Sequence, residues 1–208
     1  MNDIQKISRG GALLPERATY LALDPGKHFG FAVWQPGMKN PAFGTWKFEW
    51  GSDGERFLGL QKKLHRQHID WNGLKAIRME FNPHVHMGER AVDLGYGWKH
   101  AAQMYAAAYK IPFGTVTTEG GWRIAFIGRQ EKSIISAAAK AAKSEGVKYD
   151  TRDQLKLATI GRCQQLGWMP KTADEADALG LLDSWLLELR IDRPWAANEV
   201  LRAPLGGR

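Results

Sequence analysis

The chain has 208 residues, 44% of them hydrophobic, which is enough for one domain with a buried core and excludes a chain that is disordered by composition. No apolar run approaches the roughly 20 residues of a membrane span, and the first residues lack the hydrophobic segment of a signal peptide, so we expect a cytoplasmic protein. The net charge of +7 favours a polyanionic partner, or a basic surface that only keeps the protein soluble, and the single cysteine, Cys163, excludes an internal disulfide.

The N-terminal part predicts a meander of three strands followed by a helix. Residues 1–17 lack periodicity and are expected to form a flexible basic tail. Apolar runs separated by Gly or Pro turn signals predict antiparallel strands at residues 18–24, 29–34 and 41–50. Ser52 followed three residues later by Glu55 is a capping-box sequence, which predicts that a helix begins there.

The remainder alternates strands and helices. A short strand ends at Glu80, and a second covers residues 112–118. Helical patterns occur at residues 89–110, 119–127, 131–145, 151–166 and 173–190. Because alternation of strands and helices needs crossover connections, the chain is predicted to form an α/β domain with a mixed sheet over residues 18–192, followed by a tail at residues 193–208.

Four acidic residues occupy comparable places in this plan. Asp24 ends the first strand, Glu80 ends the fourth, and Asp174 and Asp177 lie three residues apart near the start of the last helix, on one face. If the first and fourth strands are neighbours, the four carboxylates meet. Carboxylates in a partly desolvated site persist only if they are protonated or bridged by cations, and such oxygen ligands suit Mg²⁺ or Mn²⁺. Two such ions, about 4 Å apart, support phosphodiester hydrolysis.

Each acid also has a simpler interpretation when it is taken alone. Asp24 precedes Pro-Gly and fits an ordinary turn residue, and Asp174 fits a helix cap or a first-turn charge that the helix dipole favours. Glu80 is harder to explain in this way, because a carboxylate rarely closes an apolar strand next to an aromatic residue. The hypothesis of a metal site therefore depends on the combination of the four residues.

The order "LALDPG", "IRMEF" and "DEADALGLL" resembles the RuvC-type Holliday junction resolvases of the RNase H-like superfamily, and more closely the RuvC-like nucleases of bacteriophages. The resemblance covers most of residues 18–190. It implies an α/β, RNase H-like fold with a five-stranded mixed sheet flanked by helices. It also implies a homodimeric crossover junction endodeoxyribonuclease that cuts branched double-stranded DNA with Mg²⁺ or Mn²⁺, in a bacterial cell or a phage-infected host.

The resemblance assigns the same four acids as catalytic metal ligands, namely Asp24, Glu80, Asp174 and Asp177. Glu175 and Asp183 have no counterpart among the ligands, and we interpret them as solvated charges or charges that complement the helix dipole. Lys156 matches a basic residue that precedes the last motif, where it would offset charge on the scissile phosphate. The alternative is a solvent-facing lysine.

Further residues are candidate DNA contacts. Four of them lie in or directly before the predicted helices of the C-terminal part, from residue 119 onwards: Arg123, Arg129, Lys132 and Arg152. Lys132 shares with Lys140 and Lys143 a helix that looks inserted relative to cellular relatives; its lysines either line a DNA groove or keep the helix soluble.

Two more candidate contacts, Phe81 and His84, lie beside the second acid. Phe81 is adjacent to Glu80, whereas cellular relatives place their junction-wedging aromatic several residues further on, and His84 with His86 alternatively forms a solvated loop. The segment "GYG" at residues 95–97 lies inside a helical pattern and predicts close helix packing instead of a nucleotide loop. The following helix face is a candidate dimer contact.

The alternative functions are a broader RNase H-like or flap nuclease and a catalytically silent module that binds branched DNA.

Overall fold

The computed structural model describes residues 18–25, 28–48, 51–82, 89–117 and 121–201. The five strands are β1 (Tyr20–Asp24), β2 (Gly30–Trp34), β3 (Ala42–Thr45), β4 (Ala76–Glu80) and β5 (Phe113–Val116). The helices are α1 (Asp53–Asp70), α2 (Glu89–Ala108), α3 (Trp122–Ile127), α4 (Arg129–Ser144), α5 (Thr151–Gln165) and α6 (Ala173–Glu188), and a 3₁₀ helix covers Pro194–Leu201. Within these ranges, none of the helices combines the length and the apolar character that crossing a membrane requires.

The strands form one mixed sheet in the order β3-β2-β1-β4-β5. The first three strands are antiparallel, and β4 pairs in parallel with both β1 and β5. The predicted meander and mixed sheet are therefore confirmed, and the condition that the first and fourth strands are neighbours is met. Leu23 pairs with Met79, so Asp24 and Glu80, each one residue further on, end neighbouring parallel strands at the same edge of the sheet.

The two faces of the sheet carry separate core layers. Ala22 belongs to the layer that includes α3, α5 and α6, whereas Leu23 and Met79 belong to the layer that includes α1 and α2. Because successive strand side chains point to opposite faces, Asp24 and Glu80 return to the side that α6 covers. Strand alternation thus directs both carboxylates towards the last helix.

Local sequence explains how α1 and α2 form and pack. Ser52 caps α1: its hydroxyl accepts a hydrogen bond from the backbone N–H of Glu55, whose carboxylate accepts one from the backbone N–H of Ser52, as the capping-box sequence predicts. A Cβ atom at Gly97 would lie 1.9 Å from the ring of Phe57, so α2 approaches α1 only because this position lacks a side chain. The prediction of close helix packing at residues 95–97 is confirmed at Gly97.

Helix α6 is apolar on nearly all sides because it lies between the sheet and helices α3 and α5. Its N-cap is Thr172, whose hydroxyl accepts a hydrogen bond from the backbone N–H of Glu175. Burial extends from Glu175 to Leu186. Cys163, on α5, is buried against this helix.

The interpretation of Glu175 and Asp183 as solvated charges is wrong, whereas Glu175 does lie in the first turn of α6, where its charge complements the helix dipole. Glu175 is buried, and its carboxylate accepts a hydrogen bond of 2.6 Å from the backbone N–H of Lys171. Asp183 is buried and accepts hydrogen bonds from Arg193 at 2.7 Å and from the indole N–H of Trp195 at 2.6 Å. The donors to both acids come from residues before or after α6. The helical pattern of α6 alone therefore does not reveal that the two acids are buried.

Several boundaries also differ from those expected. The core continues past residue 192, because Trp195 is buried against the rings of Trp34 and Trp168. Strand β3 is shorter than the predicted run at residues 41–50, and α4 begins two residues earlier than predicted. The predicted tail at residues 1–17 lies outside the described residues.

Candidate active site

A glycine lets the start of α6 reach the edge of the sheet. Gly30 in β2 pairs with Asp24 in β1. A Cβ atom at Gly30 would lie only 2.0 Å from the carbonyl oxygen of Asp174. The Asp174 carboxylate also accepts a hydrogen bond of 3.0 Å from the backbone N–H of His28, which follows β1. The first turn of α6 is therefore fixed beside the end of β1. The sequence analysis did not identify Gly30, although an isolated glycine in a strand pattern is a signal for close backbone approach.

Asp24 lies close enough to the other three acids for their negative charges to act on it. The pKa of Asp24 is raised well above its usual value, first by burial of the carboxylate and then by the negative charges of Glu80, Asp177 and Asp174. The positive charge of Arg123 acts in the opposite direction. The structure therefore brings the four predicted residues to one end of the sheet, where the residues Asp24, Glu80 and Asp174 are partly buried.

Asp177 is the most deeply buried of the four acids. Its side chain is 6% exposed, and its Oδ2 atom lies 2.6 Å from Nη2 of Arg123. Burial raises the pKa of Asp177 and Asp174 raises it further, whereas the charges of Arg123 and then Lys156 lower it. Among the described residues, Oδ1 of Asp177 has no hydrogen-bond partner although it is buried. One oxygen of this carboxylate is therefore left for another ligand.

The candidate basic residues fall into two groups. Lys156 on α5 is half-buried and close enough to influence Asp177, and Arg123 on α3 is buried against it. Arg129, Lys132 and Arg152 are exposed. The structure thus places Arg123 inside the site and the other three on the surface. The DNA contacts of Arg123, Arg129, Lys132 and Arg152 stay predictions.

The exposed cations of α4 share one face of the helix. Arg129, Lys132, Lys140 and Lys143 are separated by three, eight and three residues, which are helical spacings, and all four are exposed. The acids of this helix and its end, Glu131 and Glu145, lie away from that face by the same spacing rule.

Phe81 lies next to the acids in an aromatic group that the sequence analysis did not identify. Its ring contacts Tyr96 edge-to-face at 5.0 Å between centroids, and Nζ of Lys99 lies 4.8 Å from the Phe81 centroid. Tyr96 and Lys99 are one helical turn apart on α2, which is the signal that could have linked them. His84 and His86 lie outside the described residues.

The donor set fits a hard divalent cation. Four carboxylates whose charges repel, one of them with an unpartnered buried oxygen, offer the ligand chemistry that Mg²⁺ and Mn²⁺ prefer. Within the described ranges, no three His, Cys, Asp or Glu side chains are already spaced as ligands of a single ion.

The fold is that of RuvC. Thermus thermophilus RuvC in complex with a Holliday junction substrate aligns with a TM-score of 0.57 and 16% identity, covering 83% of this chain and 95% of its own. The T. thermophilus RuvC structure aligns at 0.53 and 14%, with the same coverages. The yeast mitochondrial Holliday junction resolvase Ydc2 aligns at only 0.47 and 12%, covering 96% of this chain and 87% of its own, which is too distant to carry an argument. No family model and no curated protein sequence matches the chain. The predicted RNase H-like fold is thereby confirmed.

Proposed function

We propose that this protein is a divalent-metal-dependent, structure-selective endodeoxyribonuclease that hydrolyses phosphodiesters in four-way and other branched DNA. The observation that carries the proposal is the meeting of Asp24, Glu80, Asp174 and Asp177 at one end of the sheet in a RuvC-like fold. The net charge of +7 supports a nucleic-acid substrate. A branched substrate is supported by the RuvC structure that contains a Holliday junction.

The four carboxylates would hold one or two Mg²⁺ or Mn²⁺ ions. When bound, such ions supply Lewis-acid activation of a water and stabilisation of the leaving oxygen. Asp174, fixed by the backbone N–H of His28, would keep its carboxylate oriented towards Asp24. Lys156 is close enough to Asp177 to act on its charge, and it would offset negative charge that develops on the scissile phosphate.

We further propose that duplex arms contact the exposed cations of α4 and Arg152 of α5. Phe81, together with Tyr96 and Lys99, would offer an aromatic and cationic surface beside the acids. His84 stays a candidate DNA contact from the sequence. We propose a homodimer, because symmetrical cuts in a four-way junction need two sites. The exposed Met104 on α2 and the exposed Tyr109 immediately after it support this helix as the dimer contact. The relationship to phage nucleases and a cytoplasmic location in the host are parts of the same proposal.

The test is an assay of an end-labelled four-way junction with Mg²⁺ or with chelator, beside a linear duplex of the same sequence. We expect nicks at paired positions in the junction only when metal is present, and little cutting of the duplex. Equal cutting of an RNA–DNA hybrid and the junction would instead support a broader nuclease. Salt-sensitive binding without nicks under any metal condition would support a silent DNA-binding module.

A further inference from the structure

Arg123 and Asp177 form an ion pair in the interior of the acidic cluster. Their side chains are 11% and 6% exposed, and the guanidinium carbon of Arg123 lies 4.6 Å from the centroid of the Trp122 ring. Nε of Arg123 and Oδ1 of Asp177 are both buried without a hydrogen-bond partner in the described part of the chain. The pair therefore uses only one side of each group, unlike a bidentate structural ion pair.

Arg123 is the positive charge in direct contact with this cluster, since its Nη2 atom lies 2.6 Å from Oδ2 of Asp177. The other acids are close by, because the start of α6 is held against β2 and the end of β1, and Asp24 ends the strand next to the one that Glu80 ends. A buried group of like charges is stable only if cations or protons offset the repulsion. In the protein without a divalent ion, Arg123 performs part of this task.

Building on the proposed function, we propose that Arg123 is the resident counter-cation of the acidic cluster and competes with the divalent ion for Asp177, so that metal binding displaces its guanidinium. A divalent ion held by Asp177 brings two positive charges to the place that the guanidinium occupies, and the two cations repel. The cost of separating Arg123 from Asp177 is subtracted from the binding of the ion. Removing Arg123 should therefore weaken the metal-free fold and strengthen metal binding.

The experiment compares the full-length chain with Arg123→Gln in two measurements that do not depend on cleavage. Mn²⁺ binding is titrated by the electron paramagnetic resonance signal of free Mn²⁺, and thermal unfolding is followed in chelator and in Mn²⁺. The matched control is Arg66→Gln, which removes an exposed ion pair of 2.9 Å with Asp70 on α1. We expect Arg123→Gln to unfold at a lower temperature in chelator, to bind Mn²⁺ about tenfold more tightly, and to gain more stability from Mn²⁺. Arg66→Gln should change neither measurement.

Two results would overturn this role of Arg123. Weaker Mn²⁺ binding by Arg123→Gln would mean that the guanidinium positions Asp177 for the ion, and unchanged binding with lower stability would mean a purely structural pair. The gain in Mn²⁺ affinity from Arg123→Gln must also disappear when both proteins carry Asp177→Asn, because the competition is for that carboxylate. A gain that persists would contradict the proposal. If Arg123→Gln does not fold, Arg123→Met supplies the same test, because it also removes the charge while keeping an unbranched side chain against Trp122, and it should bind Mn²⁺ more tightly than the unmodified chain. Failure of every form, the unmodified chain included, to bind Mn²⁺ would instead overturn the proposed function.

Discussion

The first and second halves of α6 each carry a buried aspartate, and the surroundings of the two aspartates differ. Asp177, near the start, contacts Arg123 at 2.6 Å, and Asp183, further along, contacts Arg193 at 2.7 Å. Both side chains are at most 6% exposed. Asp183 also accepts a hydrogen bond from Trp195, whereas Asp177 keeps a buried oxygen without a partner in the described part of the chain and lies among three other acids.

This difference shows that burial of a carboxylate beside an arginine does not by itself mark a functional site. At Asp183 the neighbouring donors tie α6 to the segment after it, and the arrangement is explained by stability. At Asp177 further acids lie beside the ion pair with Arg123, and their repulsion costs stability that an additional cation must offset. The extra negative charge therefore distinguishes Asp177 from Asp183.

The largest effect is expected on catalysis from Asp24→Asn. Loss of this central carboxylate should slow metal-dependent junction cleavage roughly a thousandfold or more, because the divalent ion loses a ligand. Junction binding should be retained, since an acid that repels phosphate is removed. Single-turnover cleavage and gel-shift assays measure the two quantities, with the exposed Asp70→Asn as the control. Loss of binding with an unchanged rate for the bound fraction would contradict the assignment.

The next largest effect is a difference between Asp183 and Asp177 in how much each contributes to the free energy of unfolding. Asp183→Ala should lower the free energy of unfolding by about 3 kcal/mol, because it removes the buried charge that Arg193 contacts. Asp177→Ala should cost less, because Asp24 and Asp174 still supply negative charge near Arg123. Denaturant unfolding in chelator measures both values. Equal losses would show that the two acids play the same structural part.

Glycine substitutions give a smaller effect that again depends on location. Gly30→Ala places a Cβ atom against the backbone of Asp174, so it should cost about 1–3 kcal/mol and also reduce cleavage by moving Asp174. Gly97→Ala meets the ring of Phe57 in the other core layer and should cost stability alone. Parallel unfolding and cleavage measurements decide this. A Gly97→Ala variant that loses as much activity as Gly30→Ala would contradict the assigned positions.

The smallest effect is a dependence of stability on pH in chelator. The pKa of Asp24 is raised in the folded protein, so its contribution is favourable below the usual aspartate pKa and is lost as the pH rises through the raised value. Asp24→Asn should therefore be more stable than the unmodified chain at neutral pH, and this difference should shrink as the pH falls towards the usual pKa. Unfolding curves at several pH values measure it. A difference that is constant with pH would show that Asp24 is not perturbed by its neighbours.

Local patterns were sufficient to predict the elements that position the acids. Asp24 and Glu80 each follow an apolar run that ends in a turn signal, and Ser52 with Glu55 marks the start of α1. That the strands carrying the acids are neighbours was only a condition at the level of the sequence, and the pairing of β1 with β4 fulfils it. Strand periodicity alone therefore placed each of the first two acids at the end of its strand, but not the two beside each other.

Contacts between distant segments could not be predicted in this way. Asp183 is buried beside Arg193 and Trp195, which lie in the segment after the helix and donate hydrogen bonds to it. The periodicity of the helix does not predict these contacts. The pairing of Arg123 with Asp177 depends on how α3 packs against α6, which neither segment encodes alone. Tertiary packing decides whether a charge in such a pattern is solvated, structural or part of a site.

The most direct test of the shared metal site is an anomalous difference map from crystals of the protein soaked in Mn²⁺. We predict peaks bounded by Asp24, Glu80, Asp174 and Asp177, with the Arg123 guanidinium moved away from Asp177. Mn²⁺ peaks located only elsewhere, with these four carboxylates unchanged and Arg123 still paired, would contradict the account.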